Sequence, residues 1–229
     1  MKRRSSELKQ PRRKSGTFKK AVNGIKLFIS WKVPVFITAM VQDSTLGCVE
    51  DFKDFCLGEL GASGVRFSPV MPIGRAKNAP SGLGLSAAKV KDLFHKGLIS
   101  GGDENEDVFT RLAGSRNFYC NAGIGQCYIS AAGKVYACHY FQNIGEDMGD
   151  LPVKPLERVY REYSDSGAIA ADFDWEKLEK CKACAHFAKC RGGCRARAKL
   201  LSGSWYNPDA FSCGMYGVER SDAIQEQVE

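Results

Sequence analysis

CKACAHFAKCRGGC, residues 181–194, sets four cysteines at C-x2-C-x5-C-x3-C, with the pair Gly192-Gly193 just before the last of them. Thiols this dense, in a stretch with no continuous apolar period, need something besides side-chain packing to fold around. Working outward, eight of the ten cysteines fall in the second part of the chain: Cys120, Cys127, Cys138, Cys181, Cys184, Cys190, Cys194 and Cys213. Six residues separate Cys120 from Cys127, and Gly133 and Cys138 form a G-x4-C step. Eight thiols divide into two sets of four. Metal can then act as the core, because the free energy of binding it becomes free energy of folding.

Soft thiolate sets suit either zinc or iron–sulfur clusters. Two zinc sites of four cysteines each remain open on spacing alone, since zinc also uses C-x2-C pairs. The run from Cys181 to Cys194 is a poorer match to two separated C-x2-C knuckles, and favours two [4Fe–4S] clusters. Gly192 and Gly193 would let the backbone approach a bulky cluster. Disulfides are disfavoured: no secretory signal is legible and no run of eighteen apolar residues exists, so the expected location is the reducing cytoplasm, with no membrane partner.

The chain of 229 residues is 44% hydrophobic and has a formal net charge of +7. Its first twenty residues hold nine Lys/Arg against one acid, so the remaining 209 sum to about −1. A basic arm on a neutral body reads as a solvated or partner-binding tail, and no nucleic-acid footprint is expected. Four regions are expected: a basic arm (1–17), an α/β region (18–110), a cysteine-rich α+β region (111–216) and a polar tail (217–229). In the second region Phe18, Ala21, Val22, Ile25 and Phe28 recur at helical spacing. Val33 to Val41 then reads as a strand buried on both faces, as in a parallel sheet. A helix over 49–60 and a strand over 65–70 complete a βαβ unit. The Gly/Pro-rich stretch 71–86 follows at the strand's C-terminal end, then a helix near 87–93 and an acidic loop around residue 104. In the cysteine-rich region, 126–138 reads as two short strands joined at Ala132-Gly133, with short helices over 155–163 and 174–180.

The seven-cysteine pattern of Cys, nine to fifteen residues, G-x4-C, a gap, C-x2-C-x5-C-x3-C, a gap and Cys resembles the SPASM domain of radical S-adenosylmethionine (SAM) enzymes that mature peptides and proteins. Twelve residues separate Cys120 from Gly133 here, and every other fixed spacing matches. The resemblance implies a first auxiliary [4Fe–4S] cluster on Cys120, Cys127, Cys138 and Cys194, and a second on Cys181, Cys184, Cys190 and Cys213. These clusters would relay electrons during modification of a peptide or protein substrate. The segments SGTFKKAVNGIKLF, VPVFITAMV and LGELGASGVRFSPVMPIGRA resemble the second half of the radical SAM partial barrel, which implies a half α/β barrel before the SPASM domain. CRGGCRARA and PLERVYRE are similar to peptide-maturing members broadly, including mycofactocin-type enzymes.

The C-x3-C-x2-C loop that binds the SAM-cleaving cluster in this family occurs nowhere in the sequence. Cys48 and Cys56 have the wrong spacing to replace it and read as small buried hydrophobes. The chain is therefore expected to use SAM only in a completed enzyme. Three explanations are expected, in this order: a gene truncated or started internally, a split enzyme with a separate polypeptide supplying the missing half, and a protein that kept only its electron-transfer clusters. In sulfatase-maturing relatives the matching segment YPCDFY carries an Asp base. Here it is YACHYF, which makes His139 the catalytic candidate. His186, between Cys184 and Cys190, reads as packing around the thiols. Arg191, Arg195 and Arg197 would offset thiolate charge.

Overall fold

In the computed structural model, which describes residues 16–77, 84–99, 120, 122–165 and 173–218, the chain divides into two units, 1–85 and 86–229. The basic arm, the acidic loop, the boundary expected near residue 110 and nearly all of the polar tail lie outside the described residues.

The first unit opens with helix α1 (Thr17–Ser30), whose half-buried stripe is Phe18, Val22, Ile25 and Ile29. Phe28, expected on that stripe, is exposed, because at 100° per residue Ile29 falls closer to the line of the other three. Strand β1 (Phe36–Val41) leads into a 3₁₀ turn (Asp43–Cys48), helix α2 (Val49–Asp54), a π-helical turn (Phe55–Glu59) and strand β2 (Gly64–Pro69). The two strands pair in parallel from Phe36↔Gly64 to Val41↔Pro69, so the expected βαβ unit is present. Gly64 is required there: a Cβ on it would lie 2.8 Å from the Phe36 ring, which crosses β2 at that point.

One expectation fails in this unit. β1 is not buried on both faces: Val41 is buried, but Phe36 is 75% and Met40 58% exposed. Its sheet has two strands, and among the described residues no third strand pairs with it. Ile37 and Val41, with α1 and α2, line an open apolar cavity of about 510 Å³.

The second unit begins with α3 (Ala87–His95), a helix expected within the α/β region 18–110. It packs on α9 (Ala210–Met215) through a close approach of Ala87 to Gly214, with Phe94 against Tyr216 at 5.7 Å between ring centroids. The antiparallel sheet β3-β4-β5 (Tyr128–Ile129, Lys134–Tyr136, Gly149–Asp150) contains the expected hairpin, paired Tyr128↔Tyr136 and Ile129↔Val135. Gly133 (φ 83°) makes its turn, and a Cβ there would meet Pro152 at 2.7 Å. Val135 is fully buried at the centre of this core, against Phe141, Met148 and Val159.

The other helices are short: α4 (Phe141–Ile144), α5 (Leu156–Asp165), α6 (Glu179–Lys182), α7 (Phe187–Cys190) and α8 (Arg195–Ser202). Helices of four to ten residues are not stable alone in water and depend on what they pack around. No helix among the described residues is long and apolar enough to cross a membrane.

Candidate metal centres

The short helices are what position the thiols. Cys181 lies on α6, Cys184 follows in the turn, Cys190 ends α7, Cys194 caps α8 and Cys213 lies on α9. Three consecutive residues, Arg191, Gly192 and Gly193, hold positive φ (46°, 83° and 72°) and reverse the chain between Cys190 and Cys194. A left-handed backbone costs an L-residue about 1–3 kcal/mol, which favours glycine at two of the three positions.

Cys181, Cys184, Cys190 and Cys213 line a single pocket, together with Gly192, His186 and Tyr216. His186 stacks on Tyr216 at 5.1 Å between centroids, so it forms part of the pocket wall, in keeping with the packing role read from sequence. The other four cysteines share the core around Val135: Cys138 is buried in it, and Cys120, Cys127 and Cys194 pack against it. Within that set Cys120 is in electrostatic reach of both Cys194 and Cys138. Cys127 meets the hydroxyl of Tyr160, a phenol whose pKa burial and this contact raise. The eight cysteines thus fall in two groups, Cys181, Cys184, Cys190 and Cys213 at the pocket and Cys120, Cys127, Cys138 and Cys194 at the core.

Burial pushes the Cys120 and Cys190 thiols up to about 12 and raises Cys138 and Cys194 as well. At neutral pH such thiols keep their protons, and a protonated buried thiol is not a nucleophile. Metal binding would have to expel those protons, and so would be favoured by rising pH. Among the described residues no three His, Cys, Asp or Glu side chains converge closely enough to hold a single metal ion.

Asp209, fully buried, ties the two groups of cysteines together. It accepts from the Cys194 amide (2.9 Å), from the Ser212 hydroxyl (2.8 Å) and from Arg197 Nε (3.0 Å), and it forms an ion pair with Arg197. It also caps α9, accepting from the Phe211 amide at 3.3 Å, and α9 carries Cys213. Burial alone would raise the Asp209 carboxyl; the Arg197 charge and these hydrogen bonds hold it below the usual carboxylate range. Gly193 is packed against this carboxylate: a Cβ there would lie 2.4 Å from Ser212 Oγ and 2.7 Å from Asp209 Oδ2. So Gly193 serves the Asp209 contact, where the sequence suggested only room for a cluster. Asp209 itself was missed, though an Asp just before the helical stretch AFSCGM is an N-cap signal.

No family model matches the chain. Among curated proteins it is 28% identical over 219 residues to the mycofactocin maturase MftC of Mycobacterium ulcerans and 27% identical over 220 residues to that of Mycolicibacterium smegmatis. Both matches cover 87% of this chain and, respectively, 55% and 52% of the relative, so the chain spans about half the length of these proteins. A shorter match, 26% over 95 residues, is to the AdoMet-dependent heme synthase of Methanosarcina barkeri. Among solved structures, native anSMEcpe with bound AdoMet matches with a TM-score of 0.54 at 20% identity, covering 87% of this chain and 57% of that one. The same protein with bound AdoMet and Cp18Cys peptide matches at 0.55.

These matches make the chain similar to radical SAM/SPASM maturases. The solved neighbours support the fold, a mixed arrangement of helices and sheets. His139, the catalytic candidate, lies directly after Cys138 in an exposed position, its ring against Tyr140 at 4.1 Å. Partial desolvation lowers its pKa, which favours the neutral imidazole. Cys56 is buried, with its thiol pushed up to about 11 by that burial, as its reading as a small hydrophobe expects. Cys48 is half-buried.

Proposed function

We propose that the chain is an iron–sulfur protein equivalent to the C-terminal part of a radical SAM/SPASM maturase, with a partial barrel in its first unit and a SPASM domain in its second. Cys120, Cys127, Cys138 and Cys194 hold one auxiliary [4Fe–4S] cluster, and Cys181, Cys184, Cys190 and Cys213 hold another. The clusters carry electrons during oxidative modification of a peptide or protein substrate. SAM cleavage belongs to the part of the barrel that carries the C-x3-C-x2-C loop, a motif this sequence does not contain.

The observation that carries the reading is that Cys181, Cys184, Cys190 and Cys213 line one pocket while the other four cysteines share a separate core. A [4Fe–4S] cluster gives each thiolate its own iron and so needs the thiols spread around it. The buried donors fit such an anion as well, since Arg195 and Arg197 supply positive charge beside the thiols. A peptide substrate agrees with the relatives, one named for maturing mycofactocin and one solved with a bound peptide. Among the described residues β1 pairs with β2 alone, which leaves its other edge for a further barrel strand.

Anaerobic purification followed by counts of iron, acid-labile sulfide and zinc tests this. About eight iron and eight sulfide per chain is the expected result. About two zinc and no sulfide, persisting after anaerobic reconstitution, would leave a zinc-stabilised binding module in its place.

A further inference from the structure

Arg195, the first residue of α8, is 5% exposed. Its guanidinium is fixed from one side: Nη1 donates to the carbonyl oxygens of Trp205 (2.8 Å) and Asn207 (2.9 Å), and Nε to that of Gly193 (3.4 Å). Nη2 has no hydrogen-bond partner. A buried cation with an unpaired donor is costly, and such a group persists where something outside the chain satisfies it. Asp209, the carboxylate whose charge reaches Arg195, is committed to Arg197, Ser212 and the Cys194 amide.

The free nitrogen lies beside Gly192, on the wall of the second site. A Cβ on Gly192 would lie 3.2 Å from Nη2, and Gly192 is part of the wall of the pocket lined by Cys181, Cys184, Cys190 and Cys213. The charge reaches Cys181 and Cys190 of that set, and Cys194 of the other. A planar fork held by two backbone carbonyls presents its remaining N–H in a fixed direction, which a lysine ammonium would not do.

We propose that Arg195 is a fixed cation shared by the two cluster sites, with its Nη2–H reserved for a sulfur of the second site, and that it holds the reduction potential there above the value a neutral side chain would give. The inference rests on the two-cluster reading above. Reduction of either cluster adds one electron, and with it one negative charge. A nearby cation and a hydrogen bond to sulfur both stabilise that added charge, so both raise the potential. Because Nη2 lies beside Gly192 in the second site's wall, we place the larger shift there. Arg195 thereby contributes to the difference in potential that sets the direction of electron flow between the sites.

The test uses Arg195→Gln and Arg195→Lys in the full chain, purified anaerobically, with iron and sulfide counted and both midpoint potentials read by EPR-monitored titration. The second site's signal is assigned as the one lost in Cys184→Ala. The expected result is a Gln variant with wild-type iron and sulfide, its second-site midpoint moved to lower potential and its first-site midpoint moved less, while Lys recovers part of the shift. A loaded Gln variant with both midpoints unmoved, or moved equally, would overturn the proposal. If Gln fails to load clusters and Lys loads them, the cation is needed to assemble the sites, which supports a charge role. If neither loads, the bonds to Trp205 and Asn207 are the residue's whole function and the proposal fails. Zinc without sulfide in the wild-type chain would defeat the two-cluster reading itself, an outcome distinct from all of these.

Discussion

The first unit has long, regular elements and an uncovered apolar face; the second has only short elements, yet buries most of the fully enclosed side chains. α1 runs for fourteen residues without burying one, and β1 leaves Phe36 and Met40 in solvent. By contrast Val135, Val159, Leu178 and Asp209 are all fully buried in a unit where, among the described residues, the longest helix has ten residues and the strands have two or three. Regular secondary structure and a completed core are therefore separate achievements. The first unit has the periodicity that dictates elements but, among the described residues, leaves side chains of one sheet face exposed, whereas the second gathers irregular segments around two groups of thiols.

The largest expected effect separates the units by metal removal. If thiolate ligation supplies the core of the second unit, stripping the metal under anaerobic conditions with chelator and oxidant removes folding free energy there. Hydrogen exchange should then lose most of its protection over 128–136 and 195–215 while the β1–β2 pair stays protected. Equal loss in both units, or none in either, would break the comparison.

Next in size is Asp209→Asn, which leaves Arg197 as a buried charge without its counterion. Removing one partner of a buried pair costs about 3–5 kcal/mol, and chemical denaturation of the second unit reads it directly. The pH dependence has a definite sign. The Asp209 carboxyl is depressed in the folded state, so its contribution is fully present above the ordinary carboxylate pKa of about 3.9 and is lost as pH falls through the lower folded value. The stability gap between wild type and Asp209→Asn should stay constant from pH 7 down to about 5 and shrink below about 4. A gap that does not change with pH would mean the carboxylate acts by shape alone.

These two predictions concern features of unequal legibility. The thiols were readable as candidate ligands because ligand chemistry imposes fixed spacing, whereas which four go together came only from the family resemblance, and the structure adds that Cys181, Cys184, Cys190 and Cys213 line one pocket. The βαβ order was readable from apolar runs and glycine stops, and β1 and β2 pair as that order requires. The exposure of Phe36 was not, because a run of apolar residues specifies what a strand would bury and not whether a neighbour exists to cover it. Asp209 and Arg195 escaped for a different reason. Asp209 bonds Arg197 and the Cys194 amide across twelve to fifteen residues, and the bonds from Arg195 to Trp205 and Asn207 span ten and twelve, with no periodic signature to mark them.

The smallest effects form a pair of glycine substitutions, one in each unit. Gly193 has φ 72° and a would-be Cβ 2.4 Å from Ser212 Oγ, next to the carboxylate that bonds the following amide. Gly193→Ala should cost at least the backbone penalty of about 1–3 kcal/mol, and displacement of Ser212 adds to it. Gly24 lies inside α1 with nothing within 4 Å of its Cβ direction and an ordinary helical backbone. Gly24→Ala should stabilise by about 0.5–1 kcal/mol, since alanine loses less backbone entropy on entering a helix. Thermal unfolding monitored separately in each unit checks both signs. A destabilised Gly24→Ala would show that α1 is packed more tightly than its exposed, half-buried stripe allows. The contrast would then reflect chain geometry and not the difference between an open unit and a closed one.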